Sequence, residues 1–106
     1  MTMTITTTPT VPNKEIIEIL GLARGSTVRA KHIGRDLLAI FKHIFGGEIL
    51  AYTELQEQSR NQAIERMKAE AKSLGADAVV NVRLTTAMIM QGTAEILAYG
   101  TAVKLK

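Results

Sequence analysis

Three polar residues on one stretch of the chain have types and spacing that suit a metal ion. His32, Asp36 and His43 fall within about 40° of one another if each helical residue advances by about 100°. His32 and Asp36 lie one turn apart and could share a divalent ion, whereas His43 lies about 10 Å beyond Asp36 along the axis. A metal site would need a further ligand, from Glu48 or a neighbouring subunit. The favoured interpretation of so short a pattern is the solvated flank of an amphipathic helix.

Arg60 is a second candidate, because a helical projection centred on Met67 places Arg60 on the apolar face of the next helix. The apolar members of that face are Ala63, Ile64, Ala71 and Leu74. A guanidinium there needs a partner, since buried arginines are rarely left unpaired. The candidate carboxylates are Asp77, Glu18 and Glu48. We favour an ion pair that fixes helix to sheet or subunit to subunit, and the alternative is an anion or ligand site.

Catalytic motifs find little support. The Gly46-Gly47-Glu48 stretch matches neither the dinucleotide nor the P-loop fingerprint and is typical of a tight turn between helices. The serines are Ser26, Ser59 and Ser73. None sits in a strand-turn-helix elbow, so no positioned nucleophile is predicted. The sequence leans towards a protein that is not an enzyme, and an enzyme with a composite site between subunits is an alternative.

Hydrophobic periodicity predicts the elements that carry these residues. Strands are expected over 4–8 and 15–30, the second with a bend or bulge at Arg24-Gly25-Ser26. Amphipathic helices are expected over 33–44 and 53–74, ended by Gly46-Gly47 and by Gly75. Two further strands over 78–90 and 93–105 are joined by a turn at Gln91-Gly92. The predicted fold class is α+β, a mainly antiparallel sheet with two helices on one face in the order β-β-α-α-β-β.

Residue alternation predicts the two faces of the last strands. In the third strand Val80, Val82 and Leu84 share one face, and Asn81, Arg83 and Thr85 share the other. In the fourth strand a face of small residues consists of Ala98, Gly100 and Ala102. Small residues allow another backbone to approach closely, so we expect a neighbouring element or subunit to cover them.

Composition narrows the classes of protein. The chain of 106 residues fits a single domain, and its formal charge of +3 is spread along the sequence, so no nucleic-acid partner is predicted. Absence of cysteine excludes disulfides and thiolate metal sites. We see neither a signal peptide nor about 20 consecutive apolar residues that could span a membrane. These features predict a cytoplasmic protein.

Residues along the whole chain resemble the YbjQ-like family of small bacterial and archaeal proteins. They are Ile5-Thr6-Thr7-Thr8, Asp36, Gly46-Gly47-Glu48, Tyr52, Arg60, Ala63, the stretch from Leu74 to Val80, Arg83, and Ala98-Tyr99-Gly100-Thr101-Ala102-Val103. The resemblance implies a dodecin-like subunit that assembles into a ring-shaped homopentamer. It also implies heavy-metal binding, although soft metals prefer sulfur ligands and this chain has no cysteine.

Together these observations predict a homo-oligomer, most simply a pentamer, whose ring offers polar clefts for a small ligand or ion. The candidate ligand-binding or interface residues are Asp36, Glu48, Tyr52, Arg60 and Arg83. The alternative is a metal-ion-binding protein that uses His32, Asp36 and Glu48. No cofactor is identified beyond that candidate divalent metal.

Overall fold

A sheet of four strands organises the residues that the computed structural model describes, which are 3–30, 47–90 and 93–106. The strands are β1 (Thr4–Ile5), β2 (Ile16–Ala30), β3 (Ala78–Met90) and β4 (Thr93–Leu105). They lie in the order β1, β3, β4, β2. β4 pairs antiparallel with β2 and β3, whereas β1 pairs parallel with β3. The sheet is therefore mixed, which corrects the expected antiparallel arrangement at the β1 edge.

Helix α1 (Gly47–Ser73) lies between β2 and β3 in the chain. It begins six residues before the predicted start at Thr53, because the residues after Gly47 are mostly good helix formers with no breaker among them. The helix predicted over 33–44 and the turn at Gln91-Gly92 fall outside the described residues. Within the described part the order is β-β-α-β-β, so the class α+β is confirmed and the two-helix order is not matched.

The end of α1 follows the sequence prediction closely. Gly75 has a φ of +85°, a conformation that residues with a Cβ rarely adopt. The Gly75 N–H donates to the Lys72 carbonyl at 3.0 Å, and the Ala76 N–H donates to the Ala71 carbonyl at 3.1 Å. These two bonds form a Schellman motif, which satisfies carbonyls that the helix leaves unpaired. The predicted glycine stop is confirmed.

One face of α1 packs on one face of the sheet, called here the inner face. The buried helix residues recur every fourth position and are Ser59, Ala63, Met67 and Ala71. The inner face contributes Ala23, Val79, Val82, Ala98 and Ala102, all buried. The chain's own helix therefore covers the small residues of β4, and no neighbouring subunit is needed to explain them.

Gly25 marks the closest approach between α1 and β2. A Cβ at this position would overlap the main chain of Ala63 and Met67. β2 pairs continuously with β4 from Leu22 to Ala30, and its register shifts lie earlier, between Ile16 and Gly21. The bend or bulge predicted at Gly25 is therefore wrong: glycine is needed here for packing space and not for a change of strand direction or register.

A β-bulge at Asn81 sets which residues of β3 face the helix. Asn81 has a φ of +54°. Val80 pairs with Thr101 and Arg83 pairs with Tyr99, so β3 has two residues between these pairs where β4 has one. The extra residue moves Val82 to the inner face, while Val80 joins a separate buried cluster with Ala78 and Val103 on the opposite, outer face. The predicted alternation, which put Val80 and Val82 on one face, is corrected.

We predict that Gly25→Ala destabilises the fold by about 1–3 kcal/mol, because the added methyl group must displace helix backbone and not a flexible side chain. Chemical denaturation at a fixed protein concentration measures the loss. Ser26→Ala is the matched control, since it changes the adjacent residue without adding volume. Equal stability of the two variants would contradict the packing role of Gly25.

Candidate functional site

The outer face carries a row of three polar side chains on neighbouring strands. Tyr99 of β4 lies directly opposite Arg24 of β2 and directly opposite Arg83 of β3. Residues paired in this way point to the same face, with Cβ atoms about 4.5–5.5 Å apart. Arg24 and Arg83 are exposed and Tyr99 is half-buried. We call these three residues the Arg-Tyr-Arg row.

The bulge at Asn81 places Arg83 in this row. In a regular strand residues three apart point to opposite faces, and the sequence pattern put Arg83 opposite Val80. The bulge adds one residue between them, so that Val80 and Arg83 share the outer face. The prediction of Arg83 as a candidate residue stands, and its predicted face is corrected.

Arg83 is also tied to the main chain. Its Nη1 donates to the Thr7 carbonyl at 3.0 Å and to the Val82 carbonyl at 2.9 Å. The segment that contains Thr7 is held at the same place by the Asn81 N–H, which donates to the Thr8 carbonyl at 3.0 Å. Both hydrogens of Nη1 are thus engaged, whereas Nε and Nη2 retain their donors.

The neighbouring rungs flank the row with both polar and apolar residues. On one side lies the rung of Ser26, Leu97 and Thr85. On the other side lies the rung of Leu22, Thr101 and Val80. Glu95, on the same face of β4, is four residues from Tyr99, about 13 Å along the strand. A third arginine, Arg66 of α1, donates to the Ser26 carbonyl at 2.6 Å beside Arg24.

Asp77 does not pair with Arg60, as one of the sequence hypotheses proposed. Its carboxylate lies 3.9 Å from the Lys104 Nζ and accepts a hydrogen bond of 2.9 Å from the Leu105 N–H. Arg60 is half-buried, whereas Ala63 and Met67 on the packed face of α1 are fully buried. The proposed role of Arg60 stays a prediction.

The other sequence candidates are only partly placed. His32 and Asp36 lie outside the described residues. Glu48 and Tyr52 belong to the first turns of α1, and their side chains are outside the described part. Arg60 lies on α1 and Arg83 on β3, and the cavity that Arg83 lines includes Ile64 of α1 but not Arg60. The described structure therefore does not bring the candidates into one site.

A heavy-metal site does not fit the described residues. Among 3–30, 47–90 and 93–106, no group of three histidine, cysteine or acidic side chains could hold an ion. The chain has no thiolate to offer a soft metal. Asp77 is engaged by Lys104 and the Leu105 amide. In the described part of the chain, no helix is long and apolar enough to cross a membrane.

Sequence reasoning missed Arg24 and Tyr99 as partners of Arg83. Arg24 stood beside Gly25 and was interpreted as part of a bend. Residue alternation by itself gives Tyr99 no partner on either neighbouring strand. The missing information was the pairing register, which a single sequence does not contain once a bulge shifts it.

The fold and this outer face define a small α+β protein, and comparison with known proteins identifies its family. Residues 3–106 match the family model YbjQ_1, described as "Putative heavy-metal-binding". The chain belongs to this family.

Close relatives support the assignment. A UPF0145 protein of Archaeoglobus fulgidus is 62% identical over 102 residues, 96% of this chain and 94% of the relative. A UPF0145 protein of Thermosipho africanus is 57% identical over 104 residues, 98% of this chain and 96% of the relative.

A solved structure from Pediococcus pentosaceus, of unknown function and in the DUF74 family, has a TM-score of 0.57 at 19% identity. The match covers 98% of each chain. It supports the fold alone.

We predict that Arg83→Gln loosens the segment around Thr7 without unfolding the sheet. Loss of two charge-assisted bonds, one exposed and one partly buried, should cost about 1 kcal/mol and speed amide exchange at Asn81 and Val82. Hydrogen exchange read by NMR is the measurement. Arg24→Gln removes the same charge from the same row but none of these main-chain bonds, so it should leave exchange at both amides unchanged. Equal effects of the two variants would contradict the anchoring role.

Proposed function

We propose that this protein is a non-enzymatic homo-oligomer, a pentameric ring, that binds a small ligand or ion. The observation that carries the proposal is the apolar surface of β2. Ile17 is 58% exposed and Ile19 is 71% exposed, and Leu22 and Val28 on the same strand are also more than half exposed. Large aliphatic residues along one edge strand favour pairing with another chain. A second copy of this chain is the simplest partner.

The two sides of the sheet support a head-to-tail arrangement. Among the described residues, β2 pairs only with β4, so its other edge is unpaired. At the opposite side, β1 and the segment that follows it bond to β3 only as far as Val82. Beyond that point β3 carries Leu84 and Met88, the latter 76% exposed. Two different surfaces on opposite sides of one subunit form a heterologous contact, which closes into a ring when the rotation allows.

Strand direction specifies the contact further. β2 and β3 each run antiparallel to β4, so they run parallel to each other. Rotation about the ring axis does not change the direction of a strand along that axis. β2 of one copy would therefore pair parallel with β3 of the next copy. Arg66 already binds the Ser26 carbonyl, so the half of β2 that contains Ile17 and Ile19 is the more accessible part.

In this proposal Asp36, Glu48 and Tyr52 line the polar clefts of the ring, and Arg60 orders the interface next to α1. This part rests on the sequence resemblance. The lack of a positioned serine nucleophile supports binding over catalysis, and the lack of cysteine is consistent with a cytoplasmic protein. The description of the family favours a second candidate, metal-ion binding through His32, Asp36 and Glu48.

We predict that Ile19→Glu dissociates the oligomer, because the carboxylate would have to be desolvated in the contact between strands. Sedimentation velocity should show wild-type protein as a discrete multiple of 11.5 kDa and the variant as smaller species. Leu74→Glu, which changes another exposed leucine beyond the end of α1, is the matched control and should stay assembled. An Ile19→Glu protein of wild-type size would remove β2 from the interface.

Calorimetry separates the two candidate functions. Zinc, nickel and copper are each titrated into the chain freed of any purification tag. The leading proposal, with a ligand that is not a heavy metal, predicts no saturable heat, because the donor set lacks sulfur from cysteine. Saturable heat that His32→Ala abolishes would instead establish the metal-binding alternative.

A further inference from the structure

We propose that the Arg-Tyr-Arg row is a binding site for a small phosphorylated molecule of mononucleotide size. Arg24 and Arg83 are permanently charged and offer planar sets of donors that match a phosphate group. Tyr99 lies between them on the central strand of the three. An aromatic ring with arginines on both sides can stack a planar group and bind the phosphate attached to it.

The spacing of the strands sets the size of the ligand. Neighbouring strands lie about 4.8 Å apart, so the main chains at Arg24 and Arg83 are about 10 Å apart across Tyr99. That span suits a nucleoside monophosphate, with its base over Tyr99 and its phosphate near one arginine. Ser26, Thr85 and Thr101 on the adjacent rungs provide hydroxyl groups beside the row.

The two arginines play different parts. Arg83 is held in place by the Thr7 and Val82 carbonyls, which use only Nη1. Its other donors are therefore positioned before a ligand arrives, and less conformational freedom is lost on binding. Among the described residues, neither the ion pairs nor the side-chain hydrogen bonds engage Arg24. Arg24 is thus available to bind the phosphate.

Among the described residues neither arginine of the row forms an ion pair with a carboxylate, although Glu70 and Glu95 line the same cavity as Arg24. The ion pairs of the described residues join Lys68 to Glu65 and Lys104 to Asp77, and neither includes Arg24 or Arg83. An anion would offset the mutual repulsion of the two guanidinium groups. A nucleic-acid strand is the less suitable occupant, because binding a strand needs successive aromatic platforms, and within the described part of the chain this face offers Tyr99 alone.

The test uses adenosine monophosphate as the probe, titrated by calorimetry into the full-length protein. We expect saturable binding, and at least tenfold weaker binding of adenosine, which lacks the phosphate. Arg24→Gln should weaken binding of the monophosphate at least tenfold. Lys72→Gln, an equal charge change at an exposed position of α1, should alter it less than twofold. Similar losses in both variants, or equal binding of adenosine and its monophosphate, would overturn the proposal.

A second readout reports on Tyr99 itself. The chain has two tyrosines and no tryptophan, so Tyr52→Phe leaves Tyr99 as the dominant fluorophore. Ribose 5-phosphate, which does not absorb in this range, should change that emission saturably, and Arg24→Gln should abolish the change. No saturable change, or tighter binding of a single-stranded oligonucleotide than of the monophosphate, would reject a site for a small ligand. If Arg24→Gln sediments at the wild-type size, the loss of the emission change in this variant does not come from a failure to assemble.

Discussion

The bulge at Asn81 is the constraint on which the two faces of the sheet depend. By adding one residue to β3, it lets Val79 and Val82 both pack beneath α1, although residues three apart in a regular strand point to opposite faces. It turns Arg83 to the outer face. It also offers the N–H groups of Asn81 and Val82 to the segment after β1, which closes this edge of the sheet. One local irregularity thus links the core, the polar row and the sheet edge.

The core explains why the molecule leaves apolar residues outside. α1 covers only the inner face, where alanine, glycine and Met67 allow close packing of helix on sheet. On the outer face Val11, Ile16 and Leu105 cover the cluster around Val80 and Val103. The exposed aliphatic residues of β2, which are Ile17, Ile19, Leu22 and Val28, belong to neither cluster. Among the described residues, the fold of a single chain therefore leaves a hydrophobic edge that an assembly of copies would bury.

Much of the fold could be predicted from the sequence, and the failures have specific causes. Hydrophobic period and helix propensity located β3, β4 and the end of α1 at Gly75. Gly25 was misinterpreted because glycine serves both turns and close packing, and only the position of the helix distinguishes the two. The bulge at Asn81 was not predicted, because the apolar-polar-apolar pattern of Val80, Asn81 and Val82 is the same in a regular strand and in a bulged one. The Arg-Tyr-Arg row depends on that bulge, so it could not be predicted before the pairing was known.

Native mass spectrometry of the untagged protein tests the central claim most directly, because it reports stoichiometry and any small molecule that co-purifies. We predict a single assembly at about five times the 11.5 kDa mass of one chain. A monomer at micromolar protein concentrations, at which stable assemblies persist, would contradict the account. The apolar residues of β2 would then remain exposed in the functional protein.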